Sequence, residues 1–207
     1  MHYPTVLVLG TSSGVAQADQ TYARRLADQG YITIVPKYLE AYGISEAQRR
    51  TSFTAQAPAI TADFVQILGE LDKLPTAKPG ANGAIGFSNG GFFALTLAST
   101  GKVKAGVSYY GALDGARAYP QLGPFKRMFS SASSPVLVLA GDEDQTIAIE
   151  LVNRLAEILK TADAPHEMKI YSGAGHAFER SNAAPSNGSA ANDAWKRTLA
   201  FLNANVR

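Results

Sequence analysis

Ser88 stands in GAIGFSNGGFFAL, where an apolar run meets a serine and helix-forming residues follow almost at once. The Gly-x-Ser-x-Gly spacing suits nucleophilic chemistry. Gly86 and Gly90 remove side chains that would collide in a tight strand-to-helix turn, which lifts the Ser88 hydroxyl above a sheet edge. The backbone N–H of Asn89 would then face a developing oxyanion from the positive end of a helix. A serine hydroxyl also needs a base, and the chain has three histidines. His2 lies at a chain end, and His166 opens the strand PHEMKIY, at the wrong edge of a parallel sheet. His176, in SGAGHAF after that strand, is the expected base. An acid to hold its ring should come from the loop after Val136 to Ala140, which runs into Gly141, Asp142, Glu143 and Asp144. Asp142, first in the turn, suits a hydrogen bond to its own backbone, whereas Asp144 has enough loop to reach across. The competing use of Asp144 is to cap a helix beginning near Ile147.

These residues need a scaffold, and the apolar pattern supplies one. Six strand-sized runs occur: Thr5 to Leu9, Tyr31 to Pro36, Gly83 to Phe87, Val103 to Tyr110, Val136 to Ala140 and Met168 to Tyr171. Helical spacing lies between or after them, as in Phe64, Ile67, Leu68 and Leu71, in Leu151, Leu155 and Leu159, and in Trp195, Leu199 and Leu202. Alternation of this kind predicts an α/β fold with a mainly parallel, doubly wound sheet, helices on both faces, and functional loops at the strands' C-terminal ends. A single domain over residues 1–207 is expected, with no internal repeat or linker dividing it. Two irregular stretches interrupt the pattern, Lys37 to Pro58 and Gly111 to Ser134. In the second, Tyr119, Phe125, Met128 and Phe129 either roof a pocket or pack the loop onto the body.

Composition narrows the partners. The 19 basic and 17 acidic residues are interspersed, so no basic stripe of the nucleic-acid kind exists. Without cysteine there are no disulfides, thiolate metal sites or thiol nucleophile. No apolar run approaches the roughly 20 residues that cross a bilayer, and no signal peptide is visible. The expectation is therefore a cytoplasmic protein, or a periplasmic or secreted one if a leader was removed. It should act on a small molecule as a monomer or homodimer, with no metal or cofactor, nucleic acid or membrane partner.

ADQGYITIVPKY, GFSNGGFFAL, SYYGALDG, AGDEDQTI, GAGHAFER and WKRTLAFL together resemble the dienelactone hydrolase family over nearly the whole chain. The resemblance implies an α/β-hydrolase fold with minimal cap, and favours Asp144 as the last residue of a Gly-x-x-Asp turn. It further implies that Arg180, four residues past His176, helps hold a substrate carboxylate. Arg49 or Arg50, in the loop after the second strand, is either a second anion contact, with Arg49 taken as the candidate, or part of a solvated charged face. Two departures matter: the family's well-studied members carry cysteine where Ser88 stands and glutamate where Thr11 stands. Serine with threonine implies activation by His176 in the ordinary serine-hydrolase way, with carboxylic esters or lactones cleaved through an acyl-enzyme.

VLVLGTSSGVAQADQ, near the N-terminus, permits other readings. LGTSSGVA is similar to a dinucleotide-binding turn of the short-chain dehydrogenases, which would make the chain an NADP-binding oxidoreductase. That class needs Tyr-x-x-x-Lys, and no tyrosine here has lysine four positions on. A hydrolase fold kept as a non-catalytic binding protein is the other alternative. With a helix expected to start near Asp19 as its N-cap, Ser12 lies too far from a helix to be a nucleophile turn. The resemblance instead places this loop beside the site, the Ser12 N–H being the second oxyanion donor and Thr11 lining the pocket.

Overall fold

The computed structural model describes residues 1–113, 122–180 and 188–207. Six parallel strands form one sheet: β1 (Tyr3–Leu9), β2 (Ile32–Ile34), β3 (Ala77–Phe87), β4 (Ala105–Tyr109), β5 (Val136–Gly141) and β6 (His166–Tyr171). Their order is β2-β1-β3-β4-β5-β6. All six sequence-predicted strands are present, β2 shortened and β3 extended backwards to Ala77. Strand alternation sorts the core. Leu7 and Leu9 pack on one face with Ala84, Val136 and Val138, while Val6 and Val8 join Ile85, Phe87, Val107 and Leu139 on the other. On that second face lie α1 (Gln17–Ala27) and α7 (Gly188–Asn205). The first is covered by α3 (Ala57–Leu71), α4 (Asn89–Ser99), α5 (Leu122–Met128) and α6 (Ile149–Thr161), together with the short α2 (Tyr38–Ala41).

Each amphipathic helix buries only part of the stripe its spacing predicts. In α3, Phe64 and Leu68 are buried with Ile60 while Ile67 and Leu71 are half-buried. In α6, Leu155 and Leu159 are buried with Val152 and Ile158 while Leu151 is half-buried, and in α7 Leu202 is buried while Trp195 and Leu199 are half-buried. By contrast α4 is buried along its whole length, being the helix that leaves Ser88 for the centre of the sheet. The irregular stretch after β2 holds α2 and a 3-10 helix, Glu46–Phe53. In the later stretch, Phe125 and Phe129 are core residues, Phe125 packing 5.6 Å from Phe92, so they anchor the loop and do not roof a pocket. Tyr119 lies outside the described residues. Because β1 is flanked by β2 on one side and β3 on the other, connections leave in opposite directions between β1 and β3. Such a switch point opens a crevice at the strands' C-terminal ends.

Candidate active site

The turn after β3 is tight enough to force its composition. Ser88 has φ 52° and ψ −110°, a left-handed conformation that costs a non-glycine residue about 1–3 kcal/mol. Hydrogen bonds over-determine it: the Ser88 N–H donates to Tyr109 O at 3.0 Å, and Ser88 O accepts from Gly91 and Ala112 at 2.9 and 2.8 Å. A Cβ on Gly86 would run into the Gly90 carbonyl, and one on Gly90 into the Leu9 carbonyl, so both positions admit only glycine. Gly90 N–H donates to Gly10 O, fastening the turn to the end of β1 across the switch point.

His176 reaches this serine from the loop after β6. Its Nε2 lies 3.1 Å from Ser88 Oγ, and its Nδ1 lies 2.8 Å from Asp144 Oδ2. A carboxylate accepts only, so Nδ1 carries the proton and Nε2 is left to accept from the serine hydroxyl. The other Asp144 oxygen accepts from the Thr146 and Ile147 N–H groups, at 2.7 and 2.8 Å. Asp144 thus bonds the ring with one oxygen and closes its own loop with the other, but it caps no helix: the helix that follows starts at Ile149 with Ala148 as its N-cap. Asp142 does not bond its own backbone as expected. Its Oδ1 accepts from Gly173 N–H at 2.7 Å, and with Glu143 N–H donating to Ala174 O this ties the acid loop to the histidine loop. His166 bonds Ala164 O at the far end of β6, and His2 is exposed.

A cavity of about 600 Å³ opens over Ser88. Thr11, Ser12 and Ser13 form one wall, Arg49, Arg50 and Phe53 of the 3-10 helix another, and Ile147, Ala148 and Leu151 a third. Leu151 thus faces the cavity, while its predicted stripe partners Leu155 and Leu159 are in the core. Arg49 also pairs with Glu46 at 3.1 Å, an exposed contact of little energetic weight. Asn89 N–H opens α4, where no helix carbonyl can accept it, and Ser12 lies across the cavity on a turn closed by Gly14 N–H on Thr11 O. Helix α1 starts at Gln17, capped at Ala16. Asp19 is its third residue and not its N-cap: it accepts the Ala16 N–H at 2.8 Å.

Sequence reasoning missed three supports of the site. The Asn89 side chain, 1% exposed, donates to Tyr38 Oη at 3.1 Å and Ser52 Oγ at 2.9 Å; Tyr38 in turn donates to Gly10 O. The turn, the first loop and the 3-10 wall are thereby pinned together. Tyr110, at φ 37°, places its ring 4.6 Å from that of His176. Arg180 borders the cavity, but its Nη2 donates to Asp19 Oδ1 at 2.7 Å and its Nε to Glu179 Oε1 at 3.1 Å. Burial works against the Arg180 charge, and the neighbouring Tyr110, Asp19 and Glu179 more than offset it. Burial also pushes the Glu179 carboxyl above its ordinary 4.5. Only the second tyrosine of SYYGALDG, Tyr110, and the charges Glu179 and Arg180 after His176 hinted at any of this. Among the described residues, no three His, Cys, Asp or Glu side chains come together to hold a metal, and no helix is long and apolar enough to cross a membrane.

A parallel sheet of this order, with a strained serine at the switch point and its histidine and acid on the following strand ends, is the α/β-hydrolase fold. A crystal structure of a "Putative Dienelactone Hydrolase" from Klebsiella pneumoniae superposes with TM-score 0.78 at 24% identity, over 98% of this chain and 87% of the other. The family model for the dienelactone hydrolase family matches residues 1–206, and the chain belongs to that family. Relatives in Escherichia coli K12 and Synechocystis, each named "Putative carboxymethylenebutenolidase", are 28% and 29% identical. They align over 96% and 99% of this chain and over 76% and 87% of their own lengths. This membership turns the first loop away from the dinucleotide reading.

Proposed function

We propose that this dienelactone hydrolase-like protein cleaves small carboxylic esters or lactones through an acyl-enzyme on Ser88. The reading rests on one observation, the continuous contact from Asp144 Oδ2 through His176 to Ser88 Oγ inside the cavity. Ser88 Oγ attacks the carbonyl carbon, its proton passing to His176 Nε2 as the carbonyl π pair moves onto oxygen. That oxyanion is received by the N–H groups of Ser12 and Asn89. Collapse expels the alcohol oxygen, protonated by His176; water then attacks the acyl carbon with His176 again as base, releasing acid and free Ser88. Asp144 holds the ring and balances the imidazolium. Thr11 lines the wall where the well-studied relatives carry a glutamate, and leaves the nucleophile to His176 alone. Arg49, beside Arg50, supplies positive charge for a substrate carboxylate when there is one.

The test is turnover of 4-nitrophenyl acetate and butyrate. Ser88→Ala should lower kcat by about 10⁴-fold or more, while Ser12→Ala, which keeps its backbone N–H, should stay within roughly tenfold of wild type. A protein inert towards both esters and towards simple lactones would leave the non-catalytic reading standing.

A further inference from the structure

Arg180 borders the cavity, yet its guanidinium is gripped from behind. Its Asp19 partner has no exposed surface, and the Arg180 side chain itself is 14% exposed. Asp19 spends its other oxygen on Ala16 N–H, at the end of the loop that carries Thr11 and Ser12. Arg180 N–H closes a turn onto Ala177 O at 2.9 Å, directly after His176, and Ala177 sits at φ 60°. Its guanidinium carbon lies 5.6 Å from the ring centre of Phe87, the residue before Ser88. One side chain therefore touches the histidine loop, the first loop's helix and the foot of the nucleophile turn.

We infer that Arg180 is a positioning residue: its buried pair with Asp19 locks the His176 loop against the Gly10–Ala16 loop, and it does not leave that pair to bind a substrate carboxylate. The inference rests on the hydrolase reading above and limits its substrate class, since discrimination between neutral and carboxylate-bearing esters does not come from Arg180. Removing the guanidinium would leave the buried Asp19 carboxylate without its counter-charge, the costly way to break a buried pair. Glu179, holding Nε, fixes the guanidinium plane from a second side.

The experiment compares 4-nitrophenyl hexanoate with 4-nitrophenyl hydrogen adipate, a pair matched in length and differing in a terminal carboxylate. Arg180→Gln should lower kcat on both by the same factor, about tenfold or more, as a displaced imidazole would. The ratio of kcat/KM between the two esters should stay within about twofold of wild type, and Arg180→Lys should recover part of kcat on both. A rise in KM confined to the adipate ester overturns the inference, and so does a variant unchanged on both. Wild-type inactivity towards both esters would instead defeat the hydrolase reading. The strut is then read from thermal unfolding of Asp19→Asn, Arg180→Gln and the double variant. A double variant that melts no lower than the weaker single one supports the lock; strictly additive losses refute it.

Discussion

Asp144 and Asp19 each divide their two carboxylate oxygens between a backbone N–H and the loop that carries His176. Asp144 holds Thr146 and Ile147 with one oxygen and the imidazole with the other; Asp19 holds Ala16 with one and Arg180 with the other. Both are buried, with side-chain exposures of 2% and 0%. The difference lies in the partner. An imidazole can gain and lose a proton while its far nitrogen faces Ser88, whereas a guanidinium keeps its charge throughout. The same carboxylate geometry thus holds a titratable ring on one side of the loop, the contact the proposed mechanism uses to move a proton, and a permanently charged guanidinium on the other.

The largest expected effect breaks the first contact. Asp144→Asn keeps an oxygen for Thr146 and Ile147 but can present an N–H to the ring, favouring the tautomer that leaves Nε2 protonated and unable to accept from Ser88. We expect kcat on 4-nitrophenyl butyrate to fall by about 10⁴-fold, with stability within about 1 kcal/mol of wild type in urea unfolding. Asp19→Asn should reverse that balance. Arg180 loses its fully buried counter-charge and keeps only Glu179, so stability should drop by about 3 kcal/mol while kcat falls far less than in Asp144→Asn. Equal rate losses in the two variants would show that the aspartates are not functionally distinct.

This asymmetry also marks how far the sequence could be read. The six strands were legible because β-branched runs of strand length alternate with helical stripes, and the candidates Ser88 and His176 and the acid loop Asp142–Asp144 followed from asking which loops end at one sheet edge, the family resemblance favouring Asp144. Both signals are local, or depend only on chain order. The Asp19–Arg180 pair joins residues 161 apart, and nothing local distinguishes Asp19 from an N-cap: the same acid, three positions later in the helix, bonds the same end from inside. Asn89 was legible as an N–H donor because the turn dictates its backbone, but its side chain's grip on Tyr38 and Ser52 depends on where an irregular stretch folds back. The aromatics of the later irregular stretch had two readings, since a roof and an anchor have the same composition; for Phe125 and Phe129 the burial of both rings and the packing of Phe125 on Phe92 decided it.

Glu179 offers the finest test of the guanidinium contact. One guanidinium faces two carboxylates there, and with Asp19 already paired through Nη2, Glu179 is the surplus charge. Burial is the first cause of its raised value, and the nearby Tyr110 and Arg180 only partly counter it. A carboxyl whose folded-state value is raised binds more protons folded than unfolded. Its contribution to stability is complete below about 4.5 and is lost as pH climbs through the folded value. Glu179→Gln keeps an oxygen for Arg180 Nε and has no such slope. Urea midpoints at pH 4 and pH 7.5 should therefore show the variant gaining on wild type as pH rises, with rates on neutral esters little changed. A gap that stays constant, or widens in favour of wild type, would mean that Glu179 is a full ionic partner of Arg180, and that the guanidinium is held by two charges and not one.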